Sequence, residues 1–217
     1  MSSRDPLRDA GSFHIARVLR ATVAKLLLAL FRVRLIGGES IPASGAVLSG
    51  NHVSYGDPVL LWCIAPRPVH FMAKSELWKI GWAGWALDHL WAFPIRRGEP
   101  DRAAIQVATE LLKRGEFVGI FPEGTRSQEG MGEAQQGAAF IAMRAGVPIV
   151  PIGIAGTDQI KPKGRWFMRF PRVTMAIGEP VTAEEFADLG RKERVEAMTG
   201  RVMDGIVRQL EIARTAR

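Results

Sequence analysis

The chain has 217 residues, 47% of them apolar, and its 29 basic and 22 acidic side chains leave a net charge of +7. That size and composition fit one domain with a short appendage and exclude a disordered or fibrous chain. The single cysteine, Cys63, excludes an internal disulfide framework and a Cys-rich metal centre, and fits a reducing compartment.

Residues 1–36 carry seven basic and two acidic groups. At helical spacing Ile15, Val18, Leu19, Thr22, Val23, Leu26, Leu27 and Leu30 fall on one side, and Arg17, Arg20, Lys25 and Arg32 on the other. No run approaches the roughly 20 apolar residues of a bilayer span, and no small-residue cleavage site follows the apolar run. A basic amphipathic helix is predicted, either lying in a membrane interface or packing on the core. A second basic segment, residues 159–178, holds five basic groups and no acid, so the body between is slightly acidic. Two such patches seek an anionic surface, nucleic acid or membrane. The aromatics of the second patch, Trp166, Phe167 and Phe170, suit a membrane interface at least as well as a stacking groove, and no nucleic-acid partner is expected.

From Gly37 onward short apolar runs alternate with helical stretches, the pattern of an α/β domain over 37–217. Strands are predicted at Ala46–Leu48, Val69–Ala73, Phe93–Ile95, Phe117–Phe121, Pro148–Ile154 and Val173–Ile177. Helices are predicted at Pro58–Ile64, Glu76–His89, Arg102–Arg114 (capped by Asp101) and Gly137–Ala145. The last 36 residues read as helix, opened by a capping box at Thr182–Glu185 and carrying a stripe from Val195 through Met198, Val202, Ile206 and Leu210 to Ala213. The expected fold is a mostly parallel or mixed central sheet flanked by helices, with the N-terminal amphipathic segment docking on membrane.

Three polar clusters each follow a predicted strand: Asn51–Asp57, Arg96–Gly98 and Pro122–Ser127. Ligands in α/β sheets bind beyond the carboxyl ends of strands, so these loops are candidates for one cleft. His52 and Asp57 can meet only through a turn, which Ser54-Tyr55-Gly56 supplies. Together they have the makings of a general base with its orienting carboxylate. Asp57 also reads as an N-cap, with Pro58 at the first helical position. Gly-x-Ser-x-Gly occurs nowhere, so the attacking oxygen must come from substrate. Arg96 and Arg126 suit a phosphate. Gly132 and Gly137 have the spacing of a nucleotide loop but are followed by Ala138-Ala139, which rules that loop out. His14, His70 and His89 lack ligand-spaced partners, and no metal site is expected. Cys63 is expected in the core, and Trp78, Trp82 and Trp85 on one helix face.

Asn51-His52-x-Ser54-x-x-Asp57, Phe93–Gly98, Phe121–Ser127 and Val147–Ile152, with Lys74–Leu77 between, follow the order and spacing of the glycerolipid acyltransferases. The chain resembles that family over roughly Ile41–Pro180, most closely its bacterial 1-acyl-sn-glycerol-3-phosphate acyltransferases. The resemblance implies a peripheral or monotopic enzyme of phospholipid biosynthesis at the cytoplasmic face of the membrane. It would move an acyl group from acyl-CoA or an acyl-carrier-protein thioester, a co-substrate and no resident cofactor, to a lysophospholipid hydroxyl. It makes His52 the base and Asp57 its partner, and assigns acceptor phosphate to Arg96, Glu123, Gly124, Thr125 and Arg126. Acyl-donor or acyl-chain binding falls to Val147, Pro148, Ile149, Val150 and Pro151. Many members carry basic residues where this chain has Glu133-Ala134-Gln135-Gln136-Gly137. That difference keeps other acceptors open, a lyso-ornithine lipid or a lipid-linked sugar, as well as hydrolysis at the same pair.

Overall fold

The run Ile149–Ala155 offers no polar position to solvent, the mark of a strand covered on both faces. In the structure, a computed structural model that describes residues 13–81, 84, 87–88, 91–95, 101–122, 133–160 and 167–217, it is a central strand. The described elements are α1 (Phe13–Leu30), β1 (Arg34–Ile36), β2 (Ala46–Gly50), α2 (Gly56–Ile64), β3 (Val69–Lys74), β4 (Phe93–Ile95), α3 (Arg102–Lys113), β5 (Phe117–Ile120), α4 (Glu133–Ala145), β6 (Ile149–Ala155), β7 (Thr174–Ile177) and α5 (Arg191–Thr215).

Seven strands form one sheet in the order β1-β7-β6-β2-β5-β3-β4. The five strands from β6 to β4 are parallel, whereas β7 runs antiparallel to β6 and carries β1 parallel to itself. The mixed α/β sheet expected from the sequence is present. Strand β1 was not foreseen, because Arg34-Leu35-Ile36 is too short to show alternation.

Residues alternate between two cores along each strand. Ala46 and Leu48 face α1 and α2 together with Val150, Ile152 and Phe71. Val47, Val118 and Ile149 face α3, α4 and α5, where the predicted stripe buries Met198, Val202 and Ile206. Helix α5 runs close over β6, since a Cβ on Gly153 would overlap the backbone of Gln209 and Leu210. Pro151 is tolerated in a central strand because the β6–β7 ladder ends at Ile152, opposite Ile177, and resumes as a lone bridge from Ile149 to Val181.

Asp101 caps α3 as expected, its Oδ1 accepting from Ala104 N–H at 3.0 Å. Three helical expectations are corrected. Glu76–His89 does not begin as α-helix: Ser75–Lys79 is a 3-10 turn, followed by a bend at Ile80 before helix resumes at Gly81, with Trp82, Trp85 and His89 outside the described residues. The Thr182–Glu185 box closes with a 2.7 Å bond but caps only a 3-10 turn, Ala183–Phe186, and α5 starts afresh at Arg191. Helix α4 begins one turn before Gly137.

The side of α1 that packs is not the expected apolar one. Ala24 and, just beyond the helix, Phe31 are buried, with Leu27 and Leu28 packed beside them; of the expected stripe Leu27 joins this side, while Val23, Leu26 and Leu30 are exposed. The end of the 1–36 segment is part of the sheet through β1. No helix among the described residues is long and apolar enough to cross a membrane.

Candidate active site

Strand β2 delivers the chain to Asn51, which is buried and bonds twice across to β6. Its amide donates to Ile154 C=O at 2.9 Å and accepts from Ile154 N–H at 2.7 Å. The side chain thereby extends the β2–β6 ladder by one rung after the β2 backbone has turned away. That clamp sits immediately before His52. Sequence reasoning treated Asn51 only as part of a motif, since an Asn at a strand end usually signals a turn.

The next five residues fold around one oxygen. Asp57 Oδ2 accepts from Val53 N–H at 2.8 Å, from Ser54 N–H at 2.7 Å and from His52 Nδ1 at 3.0 Å. Ser54 tightens the turn, its hydroxyl accepting from Gly56 N–H and its carbonyl from Asp57 N–H. The expected N-cap role is thus corrected. Helix α2 already starts at Gly56, and the carboxylate reaches back into the turn because three donors converge there. Wholly buried Asp57 holds a His52 side chain that is 37% exposed. With Nδ1–H directed at the carboxylate, the lone pair of the imidazole is on Nε2.

His52 stacks on Phe121, ring centroids 4.4 Å apart, and Phe121 in turn stacks on Phe71 at 6.2 Å. Phe71 lies across Gly119, where an added Cβ would overlap its ring. A glycine in β5 therefore underlies the packing of the imidazole, a link that no local sequence signal reveals. Phe121 is the first residue after β5, so the ends of β2 and β5 meet here, and β4 ends on the same edge of the parallel sheet. The residues that follow those two strands, Arg96 and Glu123, Gly124, Thr125 and Arg126, lie outside the described residues.

Val147, Pro148, Ile149, Val150 and Pro151 are not brought to His52. They lead into and begin β6, with Ile149 paired to Val47 at the far end of β2, and Ile149 and Val150 are wholly buried on opposite faces. Cys63 is buried. His70 is buried against Trp91, and that burial pushes its imidazole down to about 4, outweighing an opposing pull from the Trp91 backbone. Among the described residues no three His, Cys, Asp or Glu side chains cluster as metal ligands would.

The pair can accept a proton at Nε2, the resulting imidazolium being stabilised through Nδ1–H by the buried carboxylate, and no Ser or Cys of the described turn competes as nucleophile at hydrogen-bond range. Comparison with known proteins shows the family of the chain. The acyltransferase family model matches residues 32–155. The 1-acyl-sn-glycerol-3-phosphate acyltransferase of Bacillus subtilis is 37% identical over 182 residues, covering 82% of this chain and 89% of its own. That of Pseudomonas aeruginosa is 34% identical, covering 73% of this chain and 62% of its own. The crystal structure of the 1-acyl-sn-glycerophosphate acyltransferase PlsC from Thermotoga maritima is similar with a TM-score of 0.63 at 28% identity, over 88% of this chain and 81% of that one.

Proposed function

The chain belongs to the acyltransferase family, and we propose that it moves a fatty acyl group from a thioester to the free hydroxyl of 1-acyl-sn-glycerol-3-phosphate, giving phosphatidic acid. As a member of that family it is an O-acyltransferase. The observation that carries the reading is the His52–Asp57 pair, 3.0 Å apart and half open to solvent, in a chain whose relatives bear this activity in their names.

Nε2 of His52 takes the proton from the acceptor hydroxyl as that oxygen attacks the thioester carbonyl. The carbon–oxygen bond forms, the carbon–sulfur bond breaks, and the thiolate leaves as thiol with the proton returned by the imidazolium. Asp57 holds the tautomer and stabilises the imidazolium. Base catalysis of this kind is worth roughly 10²–10⁴-fold. The acceptor phosphate is assigned to Arg96 and Arg126, whose guanidinium forks suit it, with Glu123, Gly124 and Thr125 forming the loop around it. The donor is an acyl-CoA or acyl-carrier-protein thioester. Val147–Pro151 enter only indirectly, through the register of β6 that carries Ile154 to Asn51.

The protein is assigned to the cytoplasmic face of the membrane, docked through residues 1–36. Support comes from the open stripe Val23, Leu26 and Leu30 beside basic Lys25. The test is purified full-length protein with a panel of lyso-acceptors, following thiol release and acylated product by mass spectrometry. Turnover on 1-acyl-sn-glycerol-3-phosphate is expected. Turnover only on a lyso-ornithine lipid or a lipid-linked sugar would replace the acceptor. Thiol release that ignores added acceptor would replace transfer by hydrolysis.

A further inference from the structure

Four consecutive residues of the β6–β7 connection, Phe167, Met168, Arg169 and Phe170, are exposed, and three of them are large and apolar. Contiguous exposed apolar side chains of this kind mark an interaction surface. The stretch lies in the 159–178 segment of five basic residues and no acid, so whatever covers the apolar groups carries negative charge around them.

The connection is held in place. Arg169 N–H donates to Ile160 C=O at 2.8 Å, and Ile160 is buried, set so closely against the start of α2 that a Cβ on Gly56 would come within 2.6 Å of it. At its other end Arg32 Nη2 donates to Phe170 C=O at 2.7 Å, and the Phe31 and Phe170 rings meet edge to face at 5.4 Å. Arg169 lies over the Phe167 ring. The segment therefore bridges the end of α1 and the turn that carries His52 and Asp57.

Topology gives this bridge a direction. Strand β6 ends, and antiparallel β7 begins, at the sheet edge where β2 releases His52. Arg34, the first residue of β1, pairs with Thr174, the first of β7, so α1 also ends at that edge. Exposed Val53 and the 86% exposed Tyr55 stand on the site turn itself.

We infer that Phe167, Met168 and Phe170, with Arg169 and Arg172, form a second bilayer contact whose occupant is an anionic phospholipid surface. Apolar side chains enter the interface while guanidinium groups meet lipid phosphates. Two linked contacts bind more tightly than either alone and fix an orientation that one helix leaves free to rotate. That orientation turns the His52 edge toward the bilayer. Its purpose rests on the reading of a bilayer-borne acceptor, but the contact itself is measurable without turnover.

The test uses full-length protein and sedimenting vesicles of phosphatidylglycerol with phosphatidylcholine. Phe167→Ser/Met168→Ser and Arg169→Gln/Arg172→Gln are each expected to weaken partitioning on the order of tenfold or more, with unchanged melting temperature. Phe170 is left in place because it packs on Phe31. In parallel, Met168→Cys is labelled with a polarity-sensitive fluorophore, buried Cys63 staying out of reach, and its emission is expected to shift to the blue on vesicles. Partitioning of both double variants within threefold of the parent overturns the proposal. So does an unshifted label on bound protein. Neither readout involves acyl transfer, so a failed docking contact is distinct from a failed acceptor assignment.

Discussion

Replacing Asp57 by Asn keeps the shape of the side chain and removes its charge, which separates holding the turn from assisting the base. The carboxylate is wholly buried and receives three hydrogen bonds on Oδ2, from His52, Val53 and Ser54. Charge-assisted bonds are about twice as strong as neutral ones, so the exchange forfeits roughly 1 kcal/mol per bond, and a smaller desolvation cost offsets part of it. A net loss of about 1–3 kcal/mol follows. At about 2–4 °C per kcal/mol for a chain this size, the melting temperature should fall by roughly 3–10 °C. Catalysis loses more. A unit charge pair about 4 Å apart at an effective dielectric near 20 is worth about 4 kcal/mol. Solvent at the 37% exposed imidazole trims this to about 3 kcal/mol, or about a hundredfold in kcat. His52→Ala makes the contrast: activity falls by roughly 10²–10⁴-fold, while stability falls by only about 1–2 kcal/mol, because the buried carboxylate keeps its bonds from Val53 and Ser54 and the ring is partly exposed. Thiol release with 1-acyl-sn-glycerol-3-phosphate as acceptor, beside thermal melts of both variants, measures the pair. An Asp57→Asn protein that keeps kcat within threefold of the parent would refute the carboxylate's part in the reaction.

Asn51→Ala strands the buried N–H and C=O of Ile154, and should cost about 2–5 kcal/mol, seen as a lower denaturation midpoint at unchanged slope in urea. Gly119→Ala displaces the Phe71 ring, and through Phe121 the packing of His52; kcat should fall about 10- to 100-fold with far-ultraviolet dichroism preserved. For His70, whose imidazole sits near 4 in the fold against an ordinary 6.5, the unfolded chain binds a proton that the native state refuses. Stability should therefore decline as pH falls from about 6.5 to about 4, by about 3 kcal/mol in all. His70→Leu should flatten that slope relative to the parent in denaturant titrations at pH 7 and pH 4.5; parallel slopes would remove His70 as its source.

Features that express themselves locally were legible in the sequence. The strands from Ala46, Val69, Phe93 and Phe117 are apolar runs that stop at polar turns, and each is present at nearly the expected bounds. The His52–Asp57 contact was legible because Ser54-Tyr55-Gly56 forces a turn between them. What stayed hidden depends on distant partners. Three-residue β1 exists only because β7 offers it an edge, and Asp57 leaves the cap position because His52, Val53 and Ser54 all donate to it. Asn51 matters through Ile154, and Gly119 through Phe71, pairs no spacing rule connects. A periodicity in α1 was legible, but the side that packs was not: the core takes Ala24, Leu27 and Leu28 and leaves Val23, Leu26 and Leu30 outside, since that is decided by where α2 lies.

The pairing of Arg34 with Thr174 also sets a timetable. The ribosome reaches the partner of β1 about 140 residues after β1 itself, which at about 5–20 residues per second is on the order of ten seconds. Throughout that interval the sheet has an unfinished border, and Phe170 has not yet been made to meet Phe31. Under the two bilayer contacts proposed above, a nascent chain would have only its first helix to offer a membrane until β7 is made. The second contact would arrive with the step that closes the sheet, so that attachment and the finished fold would mature together.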